Sequence, residues 1–466
     1  MCIQSLDAPL WAAVLAHRCD LGDVRLNRRF ARILDAVADH AADSIPATCV
    51  DWAATKATYR FLGNSRVTPE ALIASQAQAT VDAAAGLPRV LLVQDTTTLS
   101  FTTHPKTRGL GRIGPRKLEG VQGLFTHSLL ALTDEGLPLG LLHQVTYARA
   151  EGIERAALRQ HLPFEEKESV RWRDALRAGQ ATMERLPATQ RPALIDIADR
   201  ECDIHELLAE PRGEHDDFVI RCNHNRAVQG GGYAHEAVAQ AACLGTATVA
   251  VPRSDARPAR VAQVEYRAVQ VHLDPRDTAQ KGRREPLTAT LVEVREVTPP
   301  AEVTEPLLWR LWTRQTVPTL ERAQEIARLY SLRWRIEDFH LALKTGCGVE
   351  KLQLETADRL ARAVAIYSAV AVRVVALRDM ARREPEASCT RILTRDQWRV
   401  LYMHIHKKQS QPPNEAPTIQ QAVLWIGRLG GHLNRKGDGM PGVKTLWLGL
   451  TRLDGMMDGY YAARRM

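Results

Sequence analysis

Two aspartates and one short polar pattern are the parts of this 466-residue chain whose types and spacing suit chemistry. Asp95 closes the apolar run RVLLVQD and Asp199 closes PALIDIAD, so each is expected where a buried strand stops. In open α/β sheets the carboxyl ends of strands are where ligands gather. Downstream, LYSLRWRIEDFHLALK reads as a helix with Tyr330, Arg333, Glu337 and Lys344 at offsets of 0, 3, 7 and 14. At about 100° per residue these fall in one stripe roughly 60° wide, while Leu332, Ile336, Phe339 and Leu343 gather on another side. Three carboxylates from two strand ends and a helix can hold two divalent ions about 3.5 to 4 Å apart, which activates an attacking oxygen and stabilises a leaving one. Hard oxygen donors favour Mg2+, with Mn2+ as a substitute, and disfavour zinc. Arg333 suits bidentate phosphate contact and Lys344 a point charge. Plainer roles exist for each: a strand-end aspartate forms turns or caps helices, and Arg333 with Glu337 makes an i,i+4 pair of only a few tenths of a kcal/mol.

The elements that must position these residues can be read from periodicity. Residues 1–70 read as a helical domain, in which LNRRFARILDAVADHAAD sets Leu26, Phe30, Ile33, Leu34 and Val37 at helical spacing among Arg25, Arg28, Arg29 and Arg32. That suits a DNA-contacting helix or a solvated face. Strands alternating with helices over 71–370 imply an α/β core. Within it, DFVIRCNH, TATVAVP, AQVEYRAVQVHL and LTATLVEVREV mark a β-rich stretch, about 206–308, expected as an inserted all-β subdomain. One long helix is expected over 317–344, and residues 371–466 read as a C-terminal helical domain.

Composition narrows the class of partner. Lys and Arg exceed Asp and Glu to give a formal net charge of +8, which favours a polyanion, with nucleic acid leading. The loop HPKTRGLGRIGPRK, residues 104–117, carries Lys106, Arg108, Arg112, Arg116 and Lys117 without an acid, as a phosphate-tracking or a merely solvated loop would. The eight cysteines are scattered singly, without zinc-site spacing, and read as reduced, mostly buried thiols. His404 and His406 in HIHKK lack further ligands nearby. The N-terminus lacks a basic leader, and no run is expected to reach the roughly 20 apolar residues of a membrane span. A soluble, cytoplasmic protein with no membrane partner is the expectation.

Taken together, QDTTTLS, ADRECDIH and YSLRWRIEDFHLALKTG resemble the bacterial DDE transposases of insertion-sequence family four. The resemblance runs nearly end to end, through LGDVRLNRRFARI, ATYRFLGN, HSLLAL, GLLHQ, IGRLGGHLNRKG and LDGMMDGYYAAR. It implies a ribonuclease-H-like catalytic core interrupted by the β-rich insertion, with N-terminal and C-terminal helical domains flanking it. It implies Asp95, Asp199 and Glu337 as catalytic metal ligands. Tyr330, Arg333 and Lys344 would position the DNA end, Trp309 would receive a base flipped from the duplex, and Trp334 would be its stacking neighbour. Arg200, Arg221, His205 and His340 match family positions near the site. The implied reaction is cut-and-paste transposition of double-stranded DNA through nicking, a hairpin, its reopening and transfer to target DNA. A homodimer would carry it out, with the C-terminal helices as candidate interface. One departure is that Leu124 and Phe125 stand where a relative has adjacent tryptophans. A stand-alone metal nuclease, or an inactive DNA-binding relative acting as a regulator, are the rival readings.

Overall fold

The computed structural model describes residues 11–40, 44–49, 51–114, 120–149, 162–251, 259–274, 287–301, 303–407, 411–435 and 437–465. Arg116, Lys117 and Lys408 lie outside the described residues.

The chain opens with α1 (Trp11–Arg18), α2 (Val24–His40), α3 (Ile45–Thr48), α4 (Trp52–Leu62) and α5 (Pro69–Ala84). Their starts are written locally: the side chains of Asp51 and Thr68 cap α4 and α5, and Pro69 opens α5. Strands β1 (Arg89–Ser100), β2 (Gly111–Arg112), β3 (Gln122–Leu132) and β4 (Pro138–Tyr147) follow. Next come α6 (Val170–Met183), β5 (Ala193–Ala198), α7 (His205–Leu208), β6 (Asp217–Arg221) and α8 (Ala234–Gln240). The second half of the sheet is β7 (Cys243–Val251), β8 (Arg260–Leu273), β9 (Leu287–Glu296) and β10 (Leu308–Thr313). Helices α9 (Leu320–Ser331), α10 (Arg335–Leu341), α11 (Ala357–Arg383), α12 (Arg395–Ile405), α13 (Ile419–Leu429) and α14 (Val443–Arg465) complete the chain.

All ten strands form one sheet, in the order β2-β3-β1-β5-β6-β10-β9-β8-β7, with β4 also on β3. β1, β5 and β6 run parallel at its centre, and the remaining pairs are antiparallel. The α/β class with helical termini is therefore borne out. The β-rich stretch belongs to this same sheet. DFVIR is a central strand paired in parallel with β5, and β7 to β10 carry the same sheet outward from it. The reason is edge burial: β10 pairs antiparallel with β6 (Leu311 opposite Arg221), so an edge that would otherwise be open is extended.

Helices cover both faces. Leu91, Val93, Ile195 and Ile197 share one apolar cluster with residues of α9, α10 and α11 and of the N-terminal helices. Val90, Leu92, Leu194 and Ala198 share the other with Trp172, Ala175 and Leu176 of α6 and Ala234 and Val238 of α8. A third cluster joins α11 to α14 at the C-terminus. Helix α11 corrects one expectation, since it is long and apolar enough to cross a membrane, with mean hydropathy 1.8, yet 83% of that window is buried inside the fold. Its apolar character serves the core. Among the described cysteines all seven are free, Cys243 being exposed and Cys49 half-buried.

The long helix expected over 317–344 is also corrected. α9 stops at Ser331, a 3-10 turn spans Leu332–Trp334, α10 resumes, and a π turn covers Ala342–Gly346. No proline or glycine marks the first break. The second precedes Gly348, which sits at φ 62° and ends the run.

Candidate active site

The alternation of side chains along a strand places the two aspartates. The parallel β1–β5 register aligns Leu91 with Ile195 and Val93 with Ile197, and two residues further on stand Asp95 and Asp199 on the same face. Asp95 does not end its strand, contrary to expectation. β1 runs on to Ser100, and Asp95 pairs with Ser128 of β3; what stops near it is the pairing with β5. Asp199 does follow β5 directly. It also fills the plainer role of a cap, its Oδ1 accepting from the Glu201 backbone N–H at 2.8 Å at the start of a short 3-10 turn. Asp95 Oδ1 accepts from the Thr96 N–H at 2.8 Å.

Glu337 comes to this face from α10. It accepts from Arg333 Nη2 at 2.7 Å, and its side chain is 44% exposed while that of Arg333 is 8% exposed. The ordinary i,i+4 pair is thus present, but it sits over the aspartates rather than on an outer surface. Burial, and then the charge of Asp199, push the Asp95 carboxyl up to about 7; Glu337 pushes the same way and Arg333 opposes it. Three acids within electrostatic reach, one buried with no cation of its own, is the condition a divalent ion relieves. Their oxygen-only chemistry fits a hard ion. Among the described residues no three His, Cys, Asp or Glu side chains already converge as ligands. Among the described hydrogen bonds the Arg333 guanidinium holds Glu337 through Oε1 alone, which leaves Oε2 as a second oxygen donor.

Cations and rings line the approach. Arg221, on β6, donates to the Leu308 carbonyl at 2.9 Å and lies 5.8 Å from the Tyr330 ring centre. Burial lowers its pKa, and Arg200 and Arg333 nearby lower it further. Trp309 of β10 meets Tyr330 edge-on, with centroids 5.1 Å apart. Trp334 is 55% exposed, with the Arg333 guanidinium 4.6 Å from its ring centre. The two indoles therefore rest on different partners, Trp309 on Tyr330 and Trp334 under Arg333, and not on one another among the described ring contacts. Lys344 falls in the π turn, half-buried, so the constant 100° spacing does not describe its position. His340 is buried against Asp95, with Nδ1 to Oδ2 at 3.9 Å, too long for a hydrogen bond. Burial, and then the charge of Lys344, hold its pKa down at about 3, leaving the ring neutral. Arg200 is exposed beside Asp199, and His205 is buried at the start of α7.

Three further groups singled out in the sequence have local partners. Part of the basic loop is anchored: Arg108 N–H donates to the Glu355 carbonyl at 2.9 Å, and Thr107 Oγ1 to the Leu354 carbonyl at 2.8 Å. Phe125 is buried, stacked on Tyr147 and capped by the Arg149 guanidinium at 4.2 Å. His406 packs its ring against Tyr402 and Trp425.

Sequence reasoning missed the polar bridge behind the acids. On the opposite face of the sheet, His127 Nδ1 meets Thr96 Oγ1 at 2.8 Å and His127 Nε2 meets Gln94 Oε1 at 3.2 Å. Gln94 Nε2 then donates to Asp196 Oδ1 at 2.8 Å, and Arg212 Nη2 to Asp196 Oδ2 at 3.4 Å. The available signal was a glutamine and an aspartate inside otherwise apolar runs, since buried polar groups need partners.

Comparison with known protein families gives three matches. Residues 9–67 match a family described as transposase DNA-binding. Residues 175–372 match the transposase DDE domain, a stretch that includes Asp199 and Glu337 and begins after Asp95. Residues 369–466 match the transposase Tn5 dimerisation domain.

Proposed function

Because the chain carries the DNA-binding, DDE and dimerisation domains of Tn5-type transposases, we propose that it performs cut-and-paste transposition with Asp95, Asp199 and Glu337 as its catalytic acids. The observation carrying this is the shared face: two aspartates on adjacent parallel strands, with Glu337 above them and the Asp95 carboxyl pushed up to about 7 by burial and Asp199. Within the DDE transposases the reading is finer, namely insertion-sequence family four, most like the transposase of the kanamycin-resistance composite transposon.

The three acids would hold Mg2+, or Mn2+ in its place, which when bound supplies Lewis-acid stabilisation of the oxygens exchanged at phosphorus. The chain's own residues do the rest by positioning. Arg333, buried and planar, offers a bidentate hold on a phosphate once Glu337 is released. Arg221 and Arg200 add positive charge on the same side, and Lys344 beyond α10 adds a further point charge. Trp309 can leave Tyr330 to stack on an extruded base, while exposed Trp334 offers a second ring. His340, held neutral, would shape the floor without adding charge, and His205, buried at the start of α7, would help to shape it. In the proposed sequence water attacks a phosphorus and a 3′ oxygen leaves. That freed 3′ hydroxyl attacks the opposite strand to close a hairpin, a second water reopens it, and the 3′ end then attacks target DNA. The N-terminal domain would grip the ends, and the C-terminal helices would pair two copies.

The test is Mg2+-dependent cleavage of DNA carrying the element's ends, comparing wild type with Glu337→Ala on a denaturing gel that resolves hairpins. Hairpins and released ends from wild type alone are expected. Equal cutting by the variant would remove Glu337 from the catalytic set, and end binding without cutting in either metal would favour a regulator instead.

A further inference from the structure

We infer that a groove on the C-terminal helices is a sequence-independent docking surface for the phosphate backbone of duplex DNA, distinct from the surface that reads the element ends. The groove lies among residues of α12, α13 and α14 and has a volume of about 550 Å³. Ile405, Leu429 and Met456 make its apolar part, and His404, Lys407, Arg428 and Arg452 its polar part, with no acid among the lining residues.

Several partly exposed arginines are neutralised by acids, as Arg328 is by Glu325 and Asp134 and Arg177 is by Glu210, whereas no acid partner stands against the cations of this groove among the described residues. Lys407 and Arg428 are exposed and have no hydrogen-bond or ion-pair partner among the described residues. Arg452 donates to the backbone oxygen of Leu429, which fixes the guanidinium without cancelling its charge. Several cations gathered without counter-charge repel one another, and a polyanion is the partner that relieves this. At the rim, a Cβ on Gly455 would meet nothing within 4 Å, so a wide ligand has room to approach.

The chemistry also selects which DNA. Ammonium and guanidinium groups in an open groove hold phosphates without reading base edges. That suits target DNA, whose sequence is not prescribed, whereas end recognition is proposed for the DNA-binding region matched at residues 9–67. The inference rests on the transposase reading above.

The experiment uses the full-length protein, a Lys407→Glu/Arg428→Glu double variant and its neutral counterpart Lys407→Gln/Arg428→Gln. Binding to a random-sequence duplex and to an end-bearing duplex is measured across a salt series, with sedimentation of the free protein alongside. Both variants should lose about tenfold or more in random-duplex affinity near 0.1 M salt. Their plots of log affinity against log salt should be shallower by roughly two, about 0.9 for each phosphate no longer neutralised. End-specific binding over competitor should stay within about twofold. Unchanged random-duplex affinity and slope would overturn the inference. So would a shift in sedimentation with an unchanged slope, which would give the groove to a protein partner. A wild type that binds neither duplex would sink the proposed function itself.

Discussion

Replacing Arg212 by methionine should destabilise the protein in a pH-dependent way, and replacing its partner Asp196 by asparagine should not. Arg212 and Asp196 meet at 3.4 Å with side chains 3% and 1% exposed, and Arg212 also donates to the carbonyls of Leu207, Leu208 and Glu210. Burial drives the Asp196 carboxyl above the ordinary range, and Arg212 and Gln94 oppose it. Without the guanidinium the carboxyl must be neutral in the folded state. Holding a carboxyl of unfolded pKa about 3.9 neutral at pH 7 costs about 4 kcal/mol, an upper bound because burial already exacts part of it in the wild type. The sign follows from a folded pKa raised above the unfolded one. Below about pH 4 both states are protonated and only the pH-independent cost of the three lost carbonyl contacts remains, while the carboxyl's share grows by about 1.4 kcal/mol per unit as pH rises toward the folded value. Asp196→Asn keeps an acceptor for Gln94 and leaves Arg212 on three carbonyls, so its cost should be only about 1–2 kcal/mol and should not grow as pH rises. Chemical denaturation of the three proteins at pH 5 and pH 8 decides it. Equal losses for Arg212→Met at both pH values would refute the reasoning.

Other outcomes follow from the same geometry. Trp309→Ala should retain end binding but lose hairpin product by about 5- to 150-fold, the worth of one base stacked on an aromatic ring, with Trp309→Phe intermediate on the same gel. Arg328 and Arg89 hold the Glu325 carboxyl down at about 2, so the stability they confer is full above about pH 4.5 and is lost as pH falls toward 2; Glu325→Gln should flatten melting temperature across that window. A Cβ at Gly123 would overlap the Leu99 carbonyl oxygen. Gly123→Ala must therefore push β3 off β1 and cost at least about 1–3 kcal/mol, and a wild-type melting temperature would contradict this.

Legibility in the sequence followed the range of the interactions. Apolar runs betrayed β1 and β5 and set Asp95 and Asp199 beside them, because such runs are local to a strand, whereas the face the two aspartates share follows from the β1–β5 register. Glu337 was legible because it rides on a helix whose apolar residues, Ile336 and Phe339, are fully buried. The union of β6 with β10 was not legible, since a register between residues some ninety positions apart leaves no local trace. Neither was the bend at Leu332–Trp334, which buries Arg333 and exposes Trp334 without any glycine or proline to announce it. The polar bridge from His127 to Arg212 joins four elements, so its members looked like isolated irregularities.

The continuous sheet also has a mechanical meaning. Four strand spacings of about 4.8 Å separate β6 from the outer edge at β7, a reach of about 19 Å. Strands bonded side by side resist shear, so a load on that far edge arrives at Trp309 and Arg221 as displacement of one stiff plate, not as flexing of a joint.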